Sequence, residues 1–243
     1  MSLWKTVLSV SVLISLQSSF TTSSMLPQIE PMDSRLIGGT HASLQDFSYL
    51  VSIRLQVLEV GRFGNGHLCS SVLISRQDVL TGAKCVLNGS GPRDSKELIV
   101  ISGITQLGNN TGAVQSLIAT IWLQEDQNLA IIRLQTPIEG STIVILNEFH
   151  QQNDKRCMVV GWSSNSTEES VVQKNLREFY VRLDRSTNVL DIFYITLEEP
   201  HFGICFEDMG VPLLCDGSLI GILTRRPPRC ESAKVEFLMA QNR

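Results

Sequence analysis

Downstream of Arg35 the sequence breaks into many short apolar or alternating runs, each ended by Gly, Asn, Asp, Ser or Pro. This pattern constrains the fold more than any other feature of the chain. Short runs bounded by turn formers suit strands, and many in succession predict an all-β sandwich or barrel. The runs are SYLVSIRLQ, HLCSSVLIS, ELIVIS, VQSLIATIW, NLAIIRL, CMVVGW, REFYVRL, VPLLC, SLIGILT and KVEFLMA. No long amphipathic helix, internal repeat or low-complexity tract interrupts them. The 243 residues, 43% of them hydrophobic, suffice for one domain or for two small halves sharing a core. A net charge of −4 makes no electrostatic case for a nucleic-acid partner.

The N-terminus has a different texture. MSLWK supplies one positive charge, TVLSVSVLISL an apolar core, and QSSFTTSS a choice of small residues for cleavage. Residues 1–19 therefore read as a signal peptide, its end lying between 15 and 24. The alternative is a membrane anchor, but the apolar run from Thr6 to Leu16 is shorter than the roughly 20 residues a span needs. No later segment is long enough to span. Residues 20–35, which include two prolines in MLPQIEPMDSR, read as a linker or short propeptide, leaving 36–243 as the domain.

Secretion gives the six cysteines a meaning. Cys69, Cys85, Cys157, Cys205, Cys215 and Cys230 are even in number, which suggests three disulfides. They form no close CxxC pair of the kind a zinc site uses, and no cofactor or metal is expected. Spacing alone leaves many pairings open. Acceptor sequons at Asn88, Asn109 and Asn165 suit the same compartment.

Five stretches, taken in order, carry a resemblance. RLIGGTHA near residue 35, HLCSSVLISRQDVLTGAKC, NLAIIRL, CMVVGW and CFEDMGVPLLCDGSLIGILT resemble segments of the chymotrypsin/trypsin-like serine proteases. In that family they are the activation site, the strand pair leading to the catalytic histidine, the segment of the catalytic aspartate, a strand of the second barrel, and the nucleophile loop with its pocket wall. The likeness covers residues 35 to about 240. It implies two six-stranded Greek-key β-barrels. After KVEFLMAQNR there is no room for the helix that usually closes this fold, so that helix is expected to be missing or truncated. The resemblance also implies the pairing Cys69–Cys85, Cys157–Cys215 and Cys205–Cys230, each bridge worth roughly 2–4 kcal/mol. A further bridge common in the family, between CMVVGW and the nucleophile loop, has no cysteines here.

Catalysis in this family needs a serine, a histidine that takes its proton, and an aspartate that orients the histidine. On this chain the histidine position falls on Lys84, the aspartate position on Asn128 and the nucleophile position, in EDMGVP, on Met209. A thioether has no proton to lose, an ammonium lacks the two-nitrogen relay of imidazole, and an amide carries no charge to stabilise imidazolium. Loss of one member of such a unit can cost about 10⁶-fold. Glu207 stands at the oxyanion-hole glycine and Val211 at the second glycine after the nucleophile. At the specificity pocket Gly203 falls on the floor, and Arg226 and Lys234 replace lining glycines, so that their side chains either block the slot or point to solvent.

Lysine can serve as a base for serine in unrelated proteases. Ser70 and Ser71 lie upstream, but neither falls at the attack position. His41, His67, His150 and His201 match no triad position and read as surface or structural residues.

The family's activation switch leaves its own traces. Cleavage after Arg35 would free an amino terminus at Leu36, which in the family pairs with an aspartate matching Asp208. The alternative is a linker arginine and an exposed loop acid. The whole is similar to the secreted, catalytically inactive protease homologues found in insects and other animals. These act as cofactors, decoys or adaptors in immune, clotting or reproductive-fluid cascades. The resemblance thus implies an extracellular protein partner: a protease, an inhibitor or a receptor. No cysteine-rich module precedes the domain, which favours a reproductive or digestive secretion over the immune cofactors. The competing readings are a residual or novel serine-type hydrolase and a passive secreted structural component.

Overall fold

The computed structural model describes residues 39–89, 91–124, 128–146, 156–163, 174–184, 192–197, 204, 209–225 and 234–239. After a two-residue strand β1 (Thr40–His41) come β2 (Leu50–Leu55), β3 (His67–Leu73) and β4 (Asp78–Gly82). A small hairpin follows, β5 (Leu87–Asn88) with β6 (Gly91–Pro92). Next are β7 (Leu98–Ser102), β8 (Val114–Gln124) and β9 (Leu129–Leu134). Strands β2-β3-β4-β9-β8-β7 close into a barrel. Closure leaves no unpaired sheet edge.

The sequence pattern explains the closure. In β9 the side chains of Ala130, Ile132 and Leu134 are buried while Arg133 is exposed, the period-2 alternation of a strand with one face on the core. In β8 Ser116 and Ile118 are buried between exposed Gln115, Leu117 and Ala119. Register shifts at Ile53/Arg54 and at Ile118/Thr120 bend these strands as a small barrel requires.

The remaining strands are β10 (Ile145–Leu146), β11 (Arg156–Ser163), β12 (Asn175–Asp184), β13 (Ile192–Leu197), β14 (Pro212–Cys215), β15 (Ser218–Ile222) and β16 (Lys234–Met239). Strand β11 pairs with β12, β12 with β13, β13 with β16, β16 with β15, β15 with β14, and β14 with β11 again. This is a second ring of six antiparallel strands. Two short segments from elsewhere attach to it: β1 pairs with β12 and β10 runs parallel to β15.

The fold is therefore all-β and two-barrelled, as expected. Among the described residues the helical pieces are single turns, the α-helical one at Gln56–Glu59. One apolar core runs through both rings, with Val72, Ile101 and Ile132 from the first and Val159, Leu213 and Phe237 from the second. Each of the ten expected runs contains a strand; β4, over DVLTG, β13, over IFYITL, and the two-residue strands β1, β5, β6 and β10 were not among them. Two of the expected disulfides are present. Cys69 on β3 joins Cys85 with Cα atoms 5.8 Å apart, and Cys157 on β11 joins Cys215 on β14 with Cα atoms 4.5 Å apart. Cys205 and Cys230 lie outside the described residues, as do 1–38 with the expected signal peptide, and 240–243 after β16.

Candidate functional site

The three residues expected at the triad positions, Lys84, Asn128 and Met209, lie on segments that meet near the end of β4, joined there by backbone groups. Lys84 lies in a helical turn, Ala83–Val86, whose Ala83, Cys85 and Val86 are buried. The Cys85 bridge to β3 anchors this turn, and the Lys84 side chain is left exposed. Asn128, just before β9, has a left-handed conformation, φ 52°, uncommon for a residue with a side chain though best tolerated by Asn and Asp. Its carbonyl accepts the Ala83 N–H at 2.8 Å. The carbonyl of Met209 accepts the Ser70 N–H at 3.0 Å, tying the nucleophile segment to the first barrel.

The Met209 side chain is 2% exposed. Its Cε lies 3.8 Å from where a Cβ on Gly82 would sit, so it packs against the strand end that leads to Lys84. Gly210 next to it has φ +82°, and a Cβ there would overlap the Ser70 carbonyl oxygen and crowd Thr81 Oγ1 at 2.9 Å. Glycine is required at this position on both counts. The Gly210 N–H donates to Leu223 O at 2.9 Å, and the Leu223 N–H returns a bond to Val211 O at 3.0 Å.

Val211, the unexpected residue after Gly210, has its space made for it. Its Cγ1 would come within 2.7 Å of any Cβ on Gly161, the glycine of CMVVGW. The two serines near the site are both buried. Ser71 Oγ donates toward Ser70 O at 2.5 Å and lies 2.9 Å from Thr81 Oγ1. Neither hydroxyl has access to an incoming substrate.

Glu207, Asp208, Gly203, Arg226, Arg35, Leu36 and the sequon at Asn165 lie outside the described residues. Lys234 opens β16, paired with Thr196. Asn88 and Asn109 are exposed, and Asn109 Oδ1 accepts the Thr111 N–H at 2.9 Å. The first described residues after the expected cleavage point are bound to the second barrel. Arg177 Nη1 donates to Gly39 O at 2.8 Å, and Thr40 and His41 pair with Glu178 and Arg177. A Cβ on Gly39 would lie 2.6 Å from the Phe179 ring, so glycine permits this approach.

A second polar centre escaped sequence reasoning. Ser52, Arg54 and Lys174 are all fully buried, and His67 is half-buried beside them. Arg54 pairs with Glu59 at 2.8 Å and covers the Phe63 ring at 4.4 Å. The His67 ring meets the Trp162 ring edge-on, with centroids 6.0 Å apart, across the junction between the barrels. Burial, then the charges of Lys174 and Arg54, hold the His67 imidazole well below its usual range. Burial also lowers the Arg54 guanidinium, against the opposing effect of Glu59. The available signal was the charged Arg54 inside the apolar run LVSIRL, where alternation already assigns it to the face opposite Val51 and Ile53.

The family model for Trypsin matches residues 36–240, and the chain belongs to that family. Among curated proteins it is similar to kallikrein 1-related peptidase b16 of Mus musculus, 24% identical over 231 residues, with 82% of each chain covered. Among solved structures it is similar to a mutant of human heparin binding protein, with TM-score 0.70 and 22% identity over 84% of this chain and 92% of that one. Human heparin binding protein itself gives TM-score 0.68 and 23% identity over 84% and 91%.

Proposed function

We propose that this chain is a secreted, non-catalytic member of the trypsin family that acts by binding another extracellular protein. The observation that carries the proposal is Met209, a buried thioether at the position from which the family's nucleophile attacks. Lys84, exposed to solvent, and Asn128, engaged through its main chain, stand at the other two positions. In this reading the site has no group that can attack, accept the proton or steady the acceptor. The buried state of Ser70 and Ser71 weighs against a lysine–serine hydrolase.

In this reading residues 1–19 are a signal peptide and 20–35 a propeptide. The domain is 36–243, and Asn88, Asn109 and Asn165 carry glycans. Cys205–Cys230 completes the bridges. Cleavage after Arg35 lets Leu36 pair with Asp208, which orders the loops near Glu207, while Arg226 and Lys234 fill the slot above Gly203. The partner is a protease, an inhibitor or a receptor, in the manner of insect-type homologues in reproductive or immune fluids. Heparin is a polyanion, and a chain of net charge −4 offers it no attractive field, so a protein surface is the better candidate.

Two measurements test the proposal. A serine-directed fluorophosphonate probe is expected to leave the purified protein unlabelled, and stoichiometric labelling would overturn the non-catalytic reading. Cross-linked affinity capture from the native secretion is expected to return one recurrent, saturable protein partner. Recovery of the monomer with nothing attached, at native concentration, would count against a binding role.

A further inference from the structure

We propose that His67 is an acid-operated latch on the loop that joins β2 to β3. The direction of one hydrogen-bond relay leads to this inference. Arg54 Nε donates to Ser52 Oγ at 2.9 Å, and Ser52 Oγ lies 2.8 Å from His67 Nδ1. A guanidinium can only donate. Ser52 Oγ therefore accepts from Arg54, and among the described residues its own proton has His67 Nδ1 as its acceptor. The relay is complete only with a neutral imidazole that carries its proton on Nε2.

The far side of the relay holds the loop. Arg54 Nη1 reaches Glu59 Oε2 at 2.8 Å and Nη2 reaches Leu107 O at 3.0 Å. The Glu59 carboxylate then accepts the Gly64 N–H at 2.9 Å and the Gly66 N–H at 2.7 Å. Turning Glu59 inward leaves its neighbours Val57, Leu58 and Val60 pointing out, Val60 at 87% exposure. A short exposed apolar turn is thus displayed by a chain of polar contacts that ends at His67.

A proton on Nδ1 opposes this chain in two ways. Nδ1 becomes a donor facing a hydroxyl that was donating to it, so Ser52 must turn. The new charge also lies with Arg54 from β2 and Lys174 from the segment leading into β12, both buried cations. Trp162 from β11 offers only a ring, and Glu59 is reached through Arg54.

Because His67 binds its proton less readily when latched than when released, the latched state is fully favoured above the imidazole's ordinary pKa, about 6.5. It is lost as pH falls below that value. The open-to-latched ratio rises about tenfold per pH unit there. The surface formed by residues 56–66 then differs between a neutral and an acidic fluid.

Hydrogen exchange of the full chain between pH 7.5 and 5.0, corrected for intrinsic rates, tests the latch. Protection of the Gly64 and Gly66 amides is expected to fall about tenfold per unit below roughly pH 6.5, while barrel amides such as Val100 hold theirs. In His67→Asn, whose Oδ1 accepts from Ser52 and never titrates, the profile is expected to be flat. A flat profile in the unaltered chain, or the same slope in the variant, would overturn the latch. Imidazole ¹⁵N shifts of the unaltered protein give a reading that needs no variant. The neutral Nε2–H form is expected to persist well below pH 6.5, and an imidazolium titrating at or above about 6.5 would equally refute the proposal.

Discussion

The segments that carry Lys84, Asn128 and Met209, the expected triad positions, and the Arg54 cluster are built on opposite rules. At the triad positions the joining contacts are made by the main chain: Ala83 to Asn128, Ser70 to Met209, Gly210 to Leu223. Such bonds are indifferent to most side chains, so lysine, asparagine and methionine occupy the three positions without disturbing the frame. In the Arg54 cluster the side chains themselves are the joints: Arg54 to Ser52, Glu59 and Leu107, and Glu59 to Gly64 and Gly66. There a substitution removes a joint as well as a side chain. The contrast teaches that a frame held by backbone leaves its side chains free to vary, whereas a frame held by side chains does not.

Substitutions should rank accordingly. The largest effect is expected at Gly210, where both the positive φ and the lack of space exclude a side chain. Gly210→Ala forces a Cβ onto the Ser70 carbonyl and should cost more than about 4 kcal/mol or prevent folding, as urea denaturation would register. A loss under 1 kcal/mol would mean that the backbone frame is softer than described. Next comes Glu59→Ala, which strands the buried Arg54 charge and should cost about 3–5 kcal/mol. If that loss matched an ordinary surface substitution, the contrast between the two centres would fail.

Met209→Ala removes a buried side chain and should cost about 2–4 kcal/mol; on the proposed function it changes no hydrolysis. A peptide substrate panel read beside the melt separates packing from chemistry. The smallest effect is expected at the exposed Arg76–Glu139 pair. Arg76→Ala should fall under about 1 kcal/mol, and a larger loss would show that surface charge contributes more here than the buried pair suggests.

Much of this architecture was legible before any coordinates. Alternation located the long strands because one of their faces meets the core, as in β9, where Arg133 alternates with buried Ile132 and Leu134. Strand β13 was missed for the converse reason: in IFYITL apolar residues occupy both faces, so no period-2 contrast marks it. Strands β1 and β10 are too short to have a period and exist only through partners far away in the chain. The expected triad positions were assigned from motif order and cysteines; the structure puts the segments that carry Lys84, Asn128 and Met209 near the end of β4.

The pairing of Val211 with Gly161 was not readable, since a glycine's reason for being there is the neighbour that needs its space. Nor was the Arg54 network. A charge inside a strand run carries no local sign of its partner, and Glu59 becomes that partner only once the hairpin closes.

The strand β1 has a consequence for how the molecule is made. The first ring is assembled entirely from residues 50–134, so it can close as soon as that stretch has left the ribosome. The residues just before it cannot settle then, because Thr40 and His41 pair with Glu178 and Arg177, separated from them by more than half of the chain. The earliest-synthesised strand of the fold therefore waits for the late half to receive it. Its docking joins residues 138 apart in sequence, and such contacts are slow to form because a long loop must be closed first.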